Sequence, residues 1–229
     1  CGDISKERIF SNLPVDVFDV AFHMAAQTSA RVSEEDPELD IDNNVKGTYY
    51  FCKWARENKT KKAVLTSSMA VYGAHGDNID EDAPINPNSV YGITKVASES
   101  FFRILSEDGV KTSVYRLFNV YGPGQDYSNM KQGMLSIFLT QALLSDAIRV
   151  TGSLSRYRDF VYIDDVLNAL LIDADDGARE NIFNVGSGVP VTVKQLCDVI
   201  VDKTVKSEEH IPVVEIESHR GDVFGNYAN

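Results

Sequence analysis

The chain has 229 residues, 43% hydrophobic and 24% charged, with 34 acidic against 22 basic side chains and a formal net charge of -12. So acidic a surface excludes nucleic acid and anionic membranes as partners, because both are bound by clustered Lys and Arg; a small anionic substrate stays compatible if a few arginines converge. The length suffices to bury a core without metal or disulfide support. No apolar run approaches the roughly 20 residues of a membrane span, and the start lacks the basic-then-apolar pattern of a signal peptide. Cys1, Cys52 and Cys197 are scattered, which predicts reduced thiols in a cytoplasmic protein.

The opening CGDIS reads as the end of a strand entering a loop, which predicts that the chain is a fragment. Residues 15–26 (VDVFDVAFHMAA) form a short apolar run bounded by turn residues, the pattern of a buried parallel strand. Residues 36–58 carry Leu39, Val45, Tyr49, Tyr50, Cys52 and Trp54 at helical spacing. AVLTSS (63–68) predicts a second buried strand. A polar loop with two prolines precedes a helix from about Val90 to Leu105, and VYRLFNVYG (114–122) predicts a third strand. Further on, 134–146 reads as helix, 160–163 as extended, 164–175 as helix, 183–186 as strand and 192–203 as a helix capped by Thr192. Strands alternating with helices predict an α/β fold, a parallel sheet with helices on both faces, with a smaller lobe stitched on after about residue 122.

The sharpest local pattern is Tyr91-Gly-Ile-Thr-Lys95. Four residues apart on a helix, the two side chains share a face. An ammonium beside a phenol favours the phenolate, which predicts a Tyr91 pKa below the usual value of about 10 and a role as general base and acid. Alone, the pattern more often marks a packed tyrosine beside a surface lysine. Upstream, Ser67 and Ser68 stand at the carboxyl end of a predicted strand, where ligands gather in open α/β sheets; either serine singly also suits a strand-to-loop cap. Met24, Ala25 and Ala26 close the preceding strand with small residues, and Asn119 ends the next on the same edge.

Taken together, GDI (2–4), FHMAAQTS (22–29), DNNVKGT (42–48), LTSSMAVYG (65–73), YGITK (91–95), RLFNVYGPG (116–124), RDFVYIDDV (158–166) and FNVGSG (183–188) resemble, in order and spacing, the motif string of the extended short-chain dehydrogenase/reductase family. The resemblance implies a Rossmann-type fold, a tightly held NAD and a nucleotide-sugar substrate. It implies an NAD-binding domain over residues 1–122, with 160–188 returning to it, and a substrate lobe from 123–159 and 189–229. It also implies that the first strand-helix-strand segment, with its glycine-rich phosphate loop, and the last elements of relatives lie outside these residues. Position by position, Ser68, Tyr91 and Lys95 match the catalytic triad. Asp3 and Ile4 match positions flanking adenine. Met24, Ala25, Ala26 and Thr28 match the strand end along the NAD ribose and phosphates. Asn44, Ser67 and Phe118 match further cofactor contacts, and Asn119, Arg158, Arg220 and Asn226 match substrate contacts. A guanidinium suits a diphosphate because its planar fork donates two bonds at once; a salt bridge to Asp159 or Asp164 is the alternative for Arg158.

Within the family, dehydratases place Asp-Glu directly after the catalytic hydroxyl residue. Here Met69 and Ala70 stand there, and neither moves protons. The resemblance therefore implies NAD-dependent 4-epimerisation of a UDP-sugar, a UDP-hexose or UDP-N-acetylhexosamine, through a 4-keto sugar. A UDP-glucuronate 4-epimerase, a dehydratase or reductase, and an inactive NAD-binding relative stay open as alternatives. Helices over 36–58 and 90–105 carry apolar residues on more than one face, and the resemblance implies that they pair in a homodimer.

Overall fold

In the computed structural model the described residues are 2–14, 18–74, 76–172, 180–204, 211–217 and 223–229. In chain order the elements begin with a helical turn α1 (Arg8–Ser11), strand β1 (Val20–His23) and helix α2 (Ala30–Glu35). Then come α3 (Pro37–Asp40), a π-helical turn Ile41–Lys46, α4 (Gly47–Glu57), β2 (Lys62–Ser68) and a 3-10 turn Met69–Tyr72. Next are α5 (Val90–Glu107), β3 (Lys111–Leu117), β4 (Asn119–Tyr121), α6 (Met134–Leu144) and β5 (Ile148–Thr151). The chain ends with β6 (Tyr157–Tyr162), α7 (Ile163–Ile172), β7 (Glu180–Val185), β8 (Pro190–Thr192), α8 (Val193–Thr204), β9 (Val213–Ile216) and β10 (Gly225–Asn226).

The main sheet runs β1-β2-β3-β7, every neighbouring pair parallel. All seven residues of β2 are buried, as a strand covered on both faces requires. Alternation along the strand sends its side chains to two cores. Ala63 and Leu65 pack with Phe51, Trp54, Phe102 and Leu105 from α4 and α5. Val64 packs on the other face with Tyr115, Val161, Val166 and Leu170, under α7. The parallel α/β architecture is thus the expected one.

A second sheet, β10-β6-β4 with β8 antiparallel to β6, stands beside the first, and β5 pairs β9 in a two-stranded sheet. A further core of Phe138, Ile148, Val150, Leu196 and Ile200 joins α6, α8 and β5. Three details depart from the sequence reading. The helix expected over 36–58 is broken by the π-turn. The strand expected over 114–122 splits at Phe118, whose N–H still bonds the Val185 carbonyl, after which β4 turns away to pair β6. The short strands β5, β8, β9 and β10 were not anticipated; two to four residues carry no periodicity to read.

Candidate active site

Ser68 is the last residue of β2 and caps the 3-10 turn, its Oγ accepting from the Ala70 N–H at 3.2 Å. The chain then turns at Gly73, whose φ of +65° is open to glycine and costly for other residues. It returns to start α5 at the cap Ser89, which accepts from Gly92 N–H at 3.1 Å. A Cβ on Gly92 would stand 2.5 Å from the Ala70 carbonyl oxygen. The missing side chain therefore lets the first turn of α5 lie directly on the 3-10 turn. Tyr91, 9% exposed, is thereby held against Ser68.

The phenol of Tyr91 lies beside the Ser68 hydroxyl. Burial, seconded by the Asp40 carboxylate, pushes its pKa up to about 12, against a downward pull from the Ser68 hydroxyl. Lys95 is equally buried and donates to the Thr66 carbonyl at 3.0 Å, with its Nζ 5.8 Å from the Tyr91 ring centroid. Burial lowers the Lys95 ammonium to about 8, opposed by the charges of Glu99 and Asp40. The expected depression of the Tyr91 pKa is therefore overturned in the free chain: loss of solvation outweighs the lowering by the Ser68 hydroxyl.

The other expected site residues divide by what they touch. Met24, Ala25 and Ala26 follow β1 and are open or half-open to solvent. Asp3 is exposed and its carboxylate accepts from Ser5 N–H at 2.9 Å, while Ile4 packs against Gly47. Thr28 Oγ1 accepts from Gln132 Nε2, tying the segment after β1 to the loop before α6. Asn44 lies in the π-turn with its carboxamide fully committed: Oδ1 accepts from Gln27 N–H at 2.8 Å, and Nδ2 donates to the Gln27 carbonyl at 3.0 Å and Thr94 Oγ1 at 3.1 Å. In this structure it clamps the end of β1 to α5. Ser67 donates to Glu99 Oε1 at 2.5 Å, so the two serines part company: Ser68 lies beside Tyr91 and Ser67 holds a buried carboxylate.

Phe118 is buried among Val71, Tyr72, Ile79 and Ala228, with Met69 at the cluster's edge. Asn119 donates to the Asp159 carbonyl at 2.9 Å. Arg158 donates to the main-chain oxygens of Tyr157, Phe224 and Val223 at 2.7, 3.2 and 2.8 Å, which fastens the last segment to β6. Asn226 pairs with Arg158 in register, donates from Nδ2 to Met69 Sδ at 2.8 Å, and keeps Oδ1 buried without a partner. It therefore reaches the residue next to Ser68. Arg220, like Cys1, lies outside the described residues.

Four buried polar residues near the site were not singled out from the sequence. His23, on β1, bonds Thr48 Oγ1 at 2.9 Å and stacks on Phe51 at 4.6 Å; burial drives its pKa to about 3, so it stays neutral. Asp40 is fully buried, with Oδ1 accepting from Gln27 and Oδ2 unpartnered. Glu99 and Arg116 form an ion pair at 2.9 Å behind Ser67. Only Glu99 had a signal, its place one turn beyond Lys95.

A profile of the NAD dependent epimerase/dehydratase family matches residues 2–186. The chain belongs to this family. It is 36% identical over 202 residues to a putative UDP-glucose 4-epimerase of Methanocaldococcus jannaschii, covering 87% of this chain and 65% of that protein. The chain thus spans less than two thirds of that relative's length. Among solved structures, the UDP-glucose 4-epimerase of Thermotoga maritima with UDP-glucose superposes with a TM-score of 0.88 at 30% identity, covering 100% of this chain and 74% of that one. The Thermus thermophilus UDP-glucose 4-epimerase complex with NAD gives 0.88 at 27%, with 100% and 75% covered. Family membership accounts for the parallel sheet flanked by helices.

Proposed function

We propose that the chain carries the catalytic centre of an NAD-dependent epimerase that inverts position 4 of a UDP-sugar. The observation that carries this reading is the buried Lys95 ammonium 5.8 Å from the ring of the buried Tyr91, with the Ser68 hydroxyl at the strand end beside the phenol. The family, and the relatives that bear the name of this reaction, support it. The residues fit a dinucleotide. The exposed chain at Ala25 leaves room for a flat ligand at the end of β1. An ammonium has three protons, of which Lys95 gives one to Thr66, so the others are open to ribose hydroxyls. Asp3 and Ile4 would flank the adenine, with Met24, Ala26 and Thr28 along the ribose and phosphates. NAD, when bound, supplies the hydride acceptor and donor and, oxidised, a positive ring charge.

The protein's own work is proton movement and placement. Tyr91 takes the proton of the sugar 4-hydroxyl and later returns it. Ser68, beside the phenol, bridges to the same sugar oxygen. A phenol near 12 is a strong base once ionised, and ionisation follows the arrival of compensating positive charge in a site closed to water. With Met69 and Ala70 after Ser68, no side chain there can serve the acid-base step of water elimination, which favours epimerisation over dehydration.

For the sugar, the unpartnered Oδ1 of Asn226 favours a substrate that brings a hydrogen-bond donor, such as the amide of an N-acetylhexosamine. The test is incubation of the full-length protein with UDP-glucose, UDP-N-acetylglucosamine and UDP-glucuronate in turn. An epimer of unchanged mass supports the reading; loss of water or gain of hydrogen contradicts it. We also propose a homodimer through α4 and α5. Tyr49, Ile93 and Ile104 are exposed there and the Tyr49 ring packs at a tilt against Tyr50 and Phe101; sedimentation as a monomer at micromolar concentration would contradict it.

A further inference from the structure

Tyr91, Lys95 and Glu99 recur every four residues along α5 and so stack on one face of the helix. The third member is fixed more tightly than its surroundings require. Glu99, with a side chain 12% exposed, accepts at Oε1 from Ser67 Oγ at 2.5 Å and Arg116 Nε at 3.1 Å, and at Oε2 from Arg116 Nη2 at 2.9 Å. Arg116 stands opposite Ser67 in the β2–β3 register. Its Nη1 donates to the Tyr72 hydroxyl at 2.8 Å and the Glu81 carbonyl at 3.1 Å, and its guanidinium lies 4.9 Å from the Tyr72 ring. Three donors on two strands thus prevent the carboxylate from swinging away. Stability alone does not call for this arrangement, since a buried ion pair is often replaced by apolar side chains at no cost.

We propose that Glu99 is a positioning residue for Lys95: clamped by Arg116 and Ser67, its carboxylate is a fixed negative charge one helical turn from the ammonium that bonds the Thr66 carbonyl beside Tyr91. The charged and titratable groups facing Lys95 are few among the described residues. His23 on β1 is neutral, Asp40 on α3 is buried with one oxygen unpartnered, and Tyr91 and Glu99 share the helix with Lys95, Arg116 lying behind Glu99. Burial pulls the ammonium down to about 8, and Glu99, ahead of Asp40, holds it up.

The consequence for turnover rests on the proposed reaction, in which Lys95 works as a cation, but the test does not. Full-length protein with lysine side chains labelled at Cε and Nζ is titrated by NMR, the Lys95 signal being assigned by its loss in Lys95→Met. In Glu99→Gln the Lys95 midpoint is expected to fall by about one pH unit or more, a tenfold change. The double replacement Glu99→Met with Arg116→Leu removes the whole pair in a form such sites tolerate, and is expected to lower the midpoint as well. A Lys95 midpoint that stays at its wild-type position in either folded variant would overturn the proposal. Because no sugar or nucleotide enters the titration, its outcome is independent of whether the epimerase reading holds.

Discussion

The ammonium nitrogen of Lys95 stands 5.8 Å from the centroid of the Tyr91 ring and bonds the carbonyl of Thr66 at 3.0 Å. Both side chains are buried, and burial disfavours the charged form of each: the phenol rises to about 12 and the ammonium falls to about 8. The resting pair is therefore a protonated phenol beside a lysine that titrates close to working pH. Displaced groups of this kind beside a strand end are what the proposed proton transfer requires.

Lys95 should cost the fold stability. Its pKa is about 8 folded against 10.5 in the unfolded chain, so between those values the unfolded chain holds the extra proton. Stability then rises with pH across that window, and below pH 8 the full penalty applies, about 3 kcal/mol at most. Lys95→Met is expected to raise urea stability at pH 7 by about 1–3 kcal/mol, to flatten the rise between pH 8 and 10, and to abolish turnover. Lower stability of the variant at pH 7 would contradict this.

Gly92→Ala is expected to reverse the usual helix preference, under which Ala gains about 1 kcal/mol over Gly. The new Cβ would meet the Ala70 carbonyl oxygen at 2.5 Å and Pro87 at 3.0 Å, so α5 must shift off the 3-10 turn. Since misplacement by about 1 Å can cost a hundredfold in rate, kcat should fall by about that factor, with a lower Tm. A stabilised and fully active variant would show that the contact is dispensable.

Asp159 fastens the second sheet to the chain end. Its Oδ1 accepts from the Ser187 N–H at 2.6 Å and Oγ at 2.7 Å, and its Oδ2 accepts from the Gly188 and Ala228 N–H groups at 3.0 and 3.1 Å. In Asp159→Asn one side of the group becomes an NH2 facing N–H donors. A loss of about 3 kcal/mol is expected in urea unfolding, against about 1 kcal/mol for Ser187→Ala. Equal effects would mean that the carboxylate's charge is not what holds these loops.

The parts of this molecule legible in the sequence are those with local signatures. The apolar run of β2 and the long periodic stretch of α5 each predict their element, and the Ser68, Tyr91 and Lys95 spacing predicts a meeting at the strand end. What escaped is set by tertiary partners. Asp40, Arg116 and His23 were not singled out, because nothing nearby in the chain records their burial, and Glu99 had only its place one turn beyond Lys95. The π-turn at Ile41–Lys46 keeps a helical pattern while changing its pitch, and β5 with β9 pairs segments some sixty residues apart. The Tyr91 pKa was misread for the same reason: the sequence displays the lysine four residues away but not the loss of water around the ring.

The most direct test of the proposed chemistry is conversion of UDP-glucose to its 4-epimer by full-length wild-type protein and by Tyr91→Phe, followed by proton NMR, with cofactor content measured on both. The account predicts that wild type forms the epimer and that the variant keeps its fold and its NAD while turnover drops by about a thousandfold or more. Epimer formed by the variant at a rate near that of wild type would contradict it.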